Sequence, residues 1–282
     1  MIRLVSVVGH GVNLLPHFIE HYQPYVDEIQ LVIYETDKYP LLADEVSQII
    51  NGYNNVHIVK VHKDRIFDWE RVTILYNYVT NKEPNDWWII ADIDEFHLYP
   101  IDLRELIDMC NNNGNQIVRG GFIDRIGEEG DFPEIVPEES IFKQFPTMGF
   151  FRYPMSEACP NKICIMKGLI ELTPGQHYAK INGNTTWRWQ GWNHPLILND
   201  YTVQVHHFKW DSTCGQRIRD VANTNSAYAF SEEYRKMYRA LAKTRFKIDL
   251  NEPEYMIVKS DGEANYKTYH HWNKLIKKIM SI

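Results

Sequence analysis

The stretch Trp87-Trp88-Ile89-Ile90-Ala91-Asp92-Ile93-Asp94-Glu95-Phe96 decides the fold of this chain. A short apolar run that ends in Asp-x-Asp predicts a buried strand whose carboxyl end carries oxygen ligands for a hard divalent cation. In a flat strand, residues two apart share a face, so Asp92 and Asp94 would both reach one cation. The same alternation sends Ile93 into the core and points Glu95 the other way. The alternative is a helix that begins here with Asp92 or Asp94 as its N-cap, but clustered carboxylates repel one another without a positive charge, which favours the metal site.

Upstream of this stretch, apolar runs alternate with helical patterns. Strands are predicted at residues 2–8, 28–34 and 56–62, and helices at residues 14–22, 41–51 and 69–81. Such alternation predicts an α/β fold with a mostly parallel sheet between two layers of helices. Ligands of such sheets bind beyond the carboxyl ends of the strands, which is where the acidic cluster falls. Gly9-His10-Gly11 after the first strand favours a tight turn, because the third glycine of a dinucleotide fingerprint is missing.

The second half of the chain has a different pattern. A strand is predicted from residue 116, a loop-rich region follows to about residue 200, and a late strand covers residues 201–208. Residues 231–245 predict a helix opened by Ser231. The basic segment 272–280 predicts an amphipathic helix packed on the domain, with peripheral contact to an anionic membrane as the alternative. We expect one domain over residues 1–220, with halves 1–115 and 116–220, and a helical appendage over residues 221–282.

The composition limits the class of protein. The net charge of −7 and the pI near 5.9 argue against nucleic acid as the main partner, which would need a basic surface. No apolar run has the length of a membrane span and no cleavable signal pattern is present, so a cytoplasmic protein is expected. The four cysteines include no Cys-x-x-Cys pair and are predicted to be reduced thiols.

Five short motifs give the chain a resemblance to a known family. In order, they are Asp92-Ile93-Asp94-Glu95-Phe96, Asp124-Arg125, Gln144-Phe145-Pro146, Gly175-Gln176-His177 and His206-His207-Phe208-Lys209-Trp210. Over roughly residues 2–220 the chain resembles the family-2-like members of the GT-A class of nucleotide-sugar glycosyltransferases. It departs from the better-known members at Gly9-His10-Gly11, where they carry an Asn-Glu type element.

The resemblance implies a metal-dependent transfer reaction. A sugar would move, with inversion, from a nucleoside diphosphate sugar, with a UDP-sugar favoured, to a hydroxyl of a glycan or another acceptor, and Mn²⁺ or Mg²⁺ would stabilise the leaving diphosphate. Asp94 would bind the metal directly, Asp92 the metal or the ribose, and His207 the metal as a later ligand. Lys209 would lie near the diphosphate. From the residues alone, His207 is as well explained as a buried structural histidine, and Lys209 as a solvated surface lysine.

Further candidates concern the donor pocket. The family implies an acidic residue after the second strand for the base of the donor, here Glu35 or Asp37, although both also fit a turn. Arg71 could bind a phosphate, or it could be an exposed helix arginine paired with a neighbouring carboxylate. Lys162 and His177 are weaker candidates for the donor or acceptor pocket.

Inverting transfer needs a general base, for which Asp124 and Asp211 are the candidates. Asp124 ends a strand whose Gly120-Gly121 would let a substrate approach closely, but it could also be a partner of Arg125 or a turn residue. Asp211 directly follows the histidine motif. The aromatic residues of segment 187–192 could stack on an acceptor sugar or anchor a loop.

Two other functions compete with this prediction. A sugar-phosphate nucleotidyltransferase would also bind a nucleotide and a cation, but its glycine-rich loop normally carries a basic residue, and residues 9–15 have none. A non-catalytic carbohydrate-binding or assembly protein could keep the fold without turnover. The intact Asp92, Asp94, His207 and Lys209 argue against such a loss of activity.

Overall fold

The structure is a computed structural model that describes residues 1–181, 184–185, 194–223 and 230–258 of the 282-residue chain. The predicted aromatic platform at residues 187–192 and the basic segment at residues 272–280 lie outside the described residues.

Strands and helices alternate in the N-terminal part of the chain, as predicted. The elements are β1 (Ile2–Val8), α1 (Leu15–Tyr22), β2 (Glu28–Glu35), α2 (Leu42–Ile50), β3 (Val56–Lys63), α3 (Trp69–Thr80) and β4 (Trp87–Ile90). Both β1 and β4 are buried along nearly their whole length, which is expected of strands covered on both faces. The α3 helix begins where the Asp68 carboxylate accepts hydrogen bonds from the backbone N–H groups of Glu70 and Arg71.

The rest of the described chain mixes short strands with short helices. Its first elements are β5 (Glu95–Leu98), α4 (Leu103–Asn113), β6 (Ile117–Ile126), α5 (Ile141–Gln144), β7 (Thr147–Phe150), α6 (Arg152–Ser156) and β8 (Asn161–Lys167). They are followed by β9 (Glu171–Leu172), β10 (Ala179–Ile181), β11 (Asn184–Thr185), β12 (Ile197–His207), α7 (Cys214–Asn223), α8 (Ser231–Lys243) and β13 (Met256–Val258). Within the described residues, no helix is both long and apolar enough to cross a bilayer.

One large mixed sheet organises the molecule. Strands β4, β1, β2 and β3 lie side by side and parallel, in that order. Strand β8 extends this sheet antiparallel to β4 and leads on to β6, β7 and β13. Strand β12 pairs with β6 on one side and with β5 on the other. The structure therefore confirms the predicted α/β class, with a parallel region of the sheet flanked by helices.

The acidic segment after β4 forms a turn rather than the flat strand end that was expected. The Glu95 N–H donates to the carbonyl of Asp92, and the Phe208 N–H donates to the carbonyl of Asp94. Ile93 is buried in the core, as predicted. The prediction for Glu95 was wrong, because the turn brings its carboxylate back toward Asp92, whose backbone N–H donates to it at 3.1 Å.

The predicted use of Gly120 as an approach for substrate is not what the packing shows. A Cβ atom at this position would overlap Cys164 Sγ and the Val205 side chain. Gly120 lies in β6 between β8 and β12, so glycine is needed there to let neighbouring strands pack closely.

The helices α7 and α8 pack on the second half of the sheet. Trp210, Ile218 and Met237 share a buried apolar cluster with Ile126 of β6. Helix α8 begins at Ser231, but its N-cap position is Phe230, so Ser231 is not the cap. Helix α7 runs across residue 220, where we expected a boundary, and the division of the chain into domains stays a prediction.

Candidate functional site

A cleft of about 380 Å³ opens at the carboxyl ends of β1, β2 and β4. This is the edge at which parallel α/β sheets bind their ligands. The turn after β4 forms its floor, and residues at the N-terminal end of α8 also line it. The carboxylate-bearing residues that line it are Asp92, Asp94, Glu95, Asp220 and Glu233.

His207 lies between two carboxylates at the floor of the cleft. Its Nε2 is 3.5 Å from Asp94 Oδ2, and its Nδ1 is 3.6 Å from Asp124 Oδ1, distances typical of charge contacts rather than of hydrogen bonds. Burial alone would lower the pKa of His207, but the charge of Asp94 and the contact with Asp124 raise it above its usual value. Burial would raise the pKa of Asp94, but the charge of His207 holds it well below its usual range. His207 therefore favours the imidazolium form when no other cation is present.

Only one histidine of the pair faces the cleft, as strand alternation predicted. His206 is fully buried, and its Nδ1 accepts a hydrogen bond from Arg125 Nε at 3.0 Å. Its Nε2 lies 2.9 Å from Gln204 Oε1. His206 is a structural histidine, whereas His207 lines the cleft.

Asp124 is saturated with hydrogen bonds. Its Oδ2 accepts from the backbone N–H groups of Phe151 and Arg152 at 3.0 and 2.9 Å, and its Oδ1 accepts from Trp210 Nε1 at 3.0 Å. Burial would raise the pKa of Asp124, but the contact with His207 lowers it to about 2. A buried carboxylate with this pKa is a poor proton acceptor, so the geometry favours a role in orienting His207.

Lys162 joins two other carboxylates of the floor. Its Nζ lies 2.8 Å from Asp92 Oδ2 and 2.9 Å from Glu95 Oε1, and it also donates to Gln176 Oε1 at 3.1 Å. The side chain of Lys162 is only 1% exposed. Tyr76 on α3 donates to the second oxygen of Asp92 at 2.7 Å. Both oxygens of Asp92 are therefore already engaged by donors of the chain.

The carboxylates of the floor outnumber the cations in contact with them. Four carboxylates, Asp92, Asp94, Glu95 and, behind the floor, Asp124, have close contacts to two cations, Lys162 and protonated His207, and Arg217 and Arg152 act on Asp94 and Asp124 from a greater distance. This imbalance appears in Glu95: burial and the charge of Asp92 raise its pKa to about 7, although Lys162 opposes the shift. The negative side chains raise the pKa of Lys162 despite its burial, so Lys162 stays charged. The floor would gain from an additional positive charge.

Glu95→Gln should make the ligand-free protein relatively more stable as the pH rises. A carboxyl group whose pKa is higher in the folded state contributes stability below its ordinary pKa and loses that contribution as the pH rises through the folded value. Glutamine does not ionise, so the melting temperature of Glu95→Gln minus that of the wild type should increase between about pH 5 and pH 8. Glu171→Gln, which changes an exposed ion pair with Lys180, is the matched control. If the difference in melting temperature between Glu95→Gln and the wild type did not change with pH, the raised pKa of Glu95 and the excess of negative charge at the floor would be contradicted.

Three basic residues form a second wall of the cleft, which we call the basic wall: Arg152, Lys209 and Arg217. Lys209 Nζ lies 4.5 Å from the centre of the Tyr234 ring, and the Arg152 guanidinium lies 4.4 Å from that of Phe122. Neither makes an ion pair with a carboxylate in the part of the chain that the structure describes. Lys209 is therefore available to an anionic ligand, whereas Arg152 already donates to the Cys159 carbonyl and interacts with the charges of Glu233 and Asp124.

Asp211 supports this wall from behind. Its Oδ1 accepts from the backbone N–H and the hydroxyl of Thr213 at 2.8 and 2.6 Å, and its Oδ2 lies 3.5 Å from Arg217 Nη1. Arg217 also donates to the carbonyl of Lys209. Asp211 is 1% exposed and does not line the cleft, so its geometry favours orienting Arg217 over proton transfer.

Aromatic rings form the third side of the cleft. Phe67 and Trp69 line it with their ring centres 5.4 Å apart and nearly perpendicular, and Trp69 also contacts Tyr234 of α8. A Cβ atom at Gly9 would overlap the Phe67 ring, so this glycine allows the ring to pack on the end of β1. Flat apolar faces of this kind suit a nucleobase or a sugar ring.

Three predicted donor-binding residues do not line the cleft: Glu35, Asp37 and Arg71. Glu35 is buried and links Lys63 Nζ, at 2.8 Å, to the backbone N–H of Ala43, at 3.0 Å. Asp37 is exposed in a turn, and Arg71 is exposed on α3. Thr36, Lys38 and Tyr39, the neighbours of Asp37, do line the cleft.

Sequence reasoning missed several residues that line the cleft, among them His10, Arg152, Arg217 and Glu233. Burial lowers the pKa of His10 to about 4, so its ring is neutral at physiological pH. His10 follows the carboxyl end of β1, and the same rule that selected Asp92 could have selected it. The two arginines come from helices whose position depends on long-range packing, and no local signal marks them.

The side chains of the cleft floor provide only some of the ligands that a metal ion needs. Among the described residues, no three His, Cys, Asp or Glu side chains come together as a ready-made metal site. Asp94 and His207 nevertheless offer a carboxylate and an imidazole 3.5 Å apart at the cleft. One or two protein ligands are enough for a cation that also binds the phosphates of a substrate.

Comparisons with known proteins give only loose similarities. No protein-family model matches the sequence, and no curated protein sequence matches it. A crystal structure of mannose-6-phosphate isomerase from Helicobacter pylori shares 13% identity over 60% of this chain and 71% of its own, with a TM-score of 0.32. HddC from Yersinia pseudotuberculosis shares 14% identity over 48% of this chain and 69% of its own, with a TM-score of 0.30. The third structure is a Bacillus anthracis protein assigned as a glucose-1-phosphate thymidylyltransferase, in complex with a sucrose. It shares 11% identity over 80% of this chain and 77% of its own, with a TM-score of 0.28. These overlaps are too loose to carry an argument about the reaction.

Proposed function

We propose that this chain is a metal-dependent glycosyltransferase of GT-A type that uses a nucleoside diphosphate sugar, with a UDP-sugar favoured. The observation that carries the proposal is the mixed charge of the cleft: Asp94 and His207 lie on its floor, and the three residues of the basic wall line the same cleft. A diphosphate bound between these sides would be held by the cations of the wall. The metal ion that accompanies the diphosphate would bind to the carboxylates of the floor.

Asp94 and His207 are the proposed metal ligands. The bound Mn²⁺ or Mg²⁺ would neutralise charge on the leaving diphosphate. Asp124 orients His207 from behind, a support that metal-binding histidines commonly need. Asp92, held by Lys162 and Tyr76, is the proposed contact for the donor ribose or for the cation through its remaining lone pairs.

The donor would lie with its diphosphate on Lys209 and Arg217. Arg217 presents a planar guanidinium that suits bidentate contact with a phosphate, and Lys209 supplies a compact charge. The rings of Phe67 and Trp69 are the proposed contacts for the base. Glu35, Asp37 and Arg71 are at most indirect contributors to donor binding in this proposal.

Glu233 is the proposed general base of an inverting reaction. It stands in the first turn of α8, lines the cleft and makes no ion pair within the described ranges of the chain. Asp92 and Asp220 are held by Lys162 and Lys38, respectively. The charge of Glu233 interacts with that of Arg152 but is not held in a close ion pair, so Glu233 is better placed than these two carboxylates to take a proton from an acceptor hydroxyl.

Glu233→Gln should lower turnover by about 10²-fold to 10⁴-fold, the usual contribution of a general base. Binding of the donor should change much less than turnover, because Asp94, His207 and Lys209 are untouched and only the charge of Glu233 near Arg152 is lost. The measurement is steady-state transfer or donor hydrolysis together with donor affinity by calorimetry. Glu232→Gln, one residue earlier on the exposed side of α8, is the matched control. An equal loss of turnover in Glu233→Gln and Glu232→Gln would show that Glu233 is not the general base.

The proposed activity is tested with a panel of nucleotide sugars. Purified protein should release a nucleoside diphosphate from one donor class with Mn²⁺ or Mg²⁺, slowly to water and faster with an acceptor, and EDTA should stop the release. Release that is insensitive to EDTA would contradict the metal-dependent reaction. Formation of a nucleotide sugar from a nucleoside triphosphate and a sugar phosphate would show a nucleotidyltransferase instead. Tight binding without any turnover would favour a non-catalytic binding protein.

A further inference from the structure

The ammonium group of Lys162 has as many acceptors as it has hydrogens. Its Nζ donates to Asp92 Oδ2 at 2.8 Å, to Glu95 Oε1 at 2.9 Å and to Gln176 Oε1 at 3.1 Å. A lysine ammonium carries three hydrogens and accepts no hydrogen bond. The first two acceptors are carboxylates of the floor, whereas the third is a neutral amide. Gln176 therefore takes the hydrogen that Lys162 would otherwise leave unpaired or share with a carboxylate.

Thr73 on α3 fixes which end of the Gln176 amide faces Lys162. The Thr73 hydroxyl donates to the carbonyl of Trp69 at 3.1 Å, one turn earlier in the helix. Its oxygen then accepts from Gln176 Nε2 at 3.3 Å, in a contact that joins residues 103 positions apart. Because the amide nitrogen donates to Thr73, the amide oxygen is left to accept from Lys162, and both contacts are buried.

The backbone of Gln176 has a conformation that residues other than glycine seldom adopt. Its φ is 53°, and Gly175 before it has a φ of 77°. The N–H of Gln176 donates to the carbonyl of Thr173 at 2.9 Å, which closes the turn. A left-handed conformation costs a non-glycine residue free energy, and such residues cluster at functional sites. Here the turn holds a side chain that is only 2% exposed beside the floor, and Gln176 and its neighbour His177 both line the cleft.

We propose that Gln176 is a positioning residue: by accepting the third hydrogen of Lys162, it keeps the remaining lone pairs of Asp92 available to a ligand of the cleft. The side chain of Asp92 is 37% exposed and that of Glu95 only 3%, so Asp92 is the carboxylate that a ligand can reach. Without the amide oxygen, the ammonium would turn further toward the two carboxylates, and Asp92 would lose lone pairs to it. This inference deepens the role proposed above for Asp92 and therefore rests on the proposed function.

The exchange of the Lys162 ammonium hydrogens with water tests the contact itself. Their NMR signal, identified in isotope-labelled protein by its loss in Lys162→Met, should exchange slowly in the wild type. Gln176→Met keeps the length of the side chain but removes the acceptor, so exchange should be about tenfold faster or more, the factor expected for one hydrogen bond to a charged group. Gln176→Glu keeps an oxygen acceptor, so exchange should stay slow.

The affinity for UDP with Mn²⁺, measured by calorimetry, tests the consequence for the cleft. Gln176→Met should bind about tenfold more weakly, the lower end of the effect of losing a residue that orients a ligand-binding group. Gln176→Glu should lose much less affinity, because Lys162 keeps its third acceptor. Gln23→Met, which changes an exposed side chain that contacts Asn55, is the matched control and should change neither the affinity nor the exchange.

Thr73→Val is the second variant, and it replaces Gln176→Met if circular dichroism shows that Gln176→Met does not fold. Valine has the shape of threonine but cannot accept from Gln176 Nε2, so the amide is free to turn. Exchange at Lys162 should then be faster than in the wild type, although by less than in Gln176→Met. Thr73→Ser keeps the hydroxyl and should exchange as the wild type does.

Three results would overturn the proposal. The first is unchanged exchange in Gln176→Met, or in Thr73→Val where that variant replaces it. The second is exchange that is equally fast in Gln176→Met and Gln176→Glu, and the third is faster exchange with unchanged affinity for UDP and Mn²⁺. If the wild type bound no nucleoside diphosphate, the proposed function would be wrong, and with it the role of Gln176 toward a ligand. Faster exchange in Gln176→Met would then still show that Gln176 holds Lys162.

Discussion

Lys162→Met is expected to destabilise the protein by about 3–5 kcal/mol, the usual result of removing one partner from a buried ion pair. The substitution leaves Asp92 and Glu95 without the ammonium group that contacts both. Glu95 is 3% exposed at its side chain, so water cannot replace the lost charge. Urea unfolding followed by circular dichroism at neutral pH gives the free energy of unfolding.

The exposed pair of Lys180 and Glu171 provides the control for this experiment. Both side chains are more than a third exposed, so Lys180→Met should change the free energy of unfolding by less than about 1 kcal/mol. The loss in Lys162→Met should also become smaller at low pH, where Glu95 is protonated. If Lys162→Met and Lys180→Met changed the free energy of unfolding by similar amounts, Lys162 would not be the charge that stabilises the carboxylates of the floor.

Asp94→Asn is expected to lower turnover by more than about 10²-fold while the fold stays intact. The variant keeps the size of the side chain but loses the charge that pairs with His207 and that would hold the cation. Because the charge of Asp94 raises the pKa of His207, the variant should also make His207 easier to deprotonate. Donor hydrolysis with Mn²⁺, and the His207 titration by NMR, are the two measurements.

Asp108→Asn is the matched control for this variant, since Asp108 is exposed on α4 and does not line the cleft. It should retain wild-type turnover. Wild-type turnover in Asp94→Asn would remove the proposed metal contact.

Local patterns were enough to predict the elements that lead into the cleft. The apolar run before Asp92 and the alternation of strands and helices located the acidic turn at the carboxyl edge of a parallel sheet, where the structure has it. Strand alternation also predicted that only one of His206 and His207 faces the cleft, and the resemblance selected His207. These features depend on the neighbours of each residue in the sequence and on the period of the backbone.

The partners of the site residues could not be predicted in the same way. Lys162 is 70 positions from Asp92, and the donors that saturate Asp124 come from residues up to 86 positions away. The turn that redirects Glu95 is also held by a hydrogen bond from the Phe208 N–H, just after the distant strand β12, to the carbonyl of Asp94. Such contacts are set by the packing of distant elements, so the sequence could nominate Asp124 as a base but could not show that its oxygens are occupied.

The most direct test of the account is the thermal stability of the wild type and of Asp94→Asn with UDP, with and without Mn²⁺. A ligand that binds only the native state raises the melting temperature. The account predicts a rise of several degrees for the wild type with UDP and Mn²⁺ together, and little or no rise for UDP with EDTA or for Asp94→Asn. No manganese-dependent rise with UDP or any other nucleoside diphosphate, or an equal rise in Asp94→Asn, would contradict it.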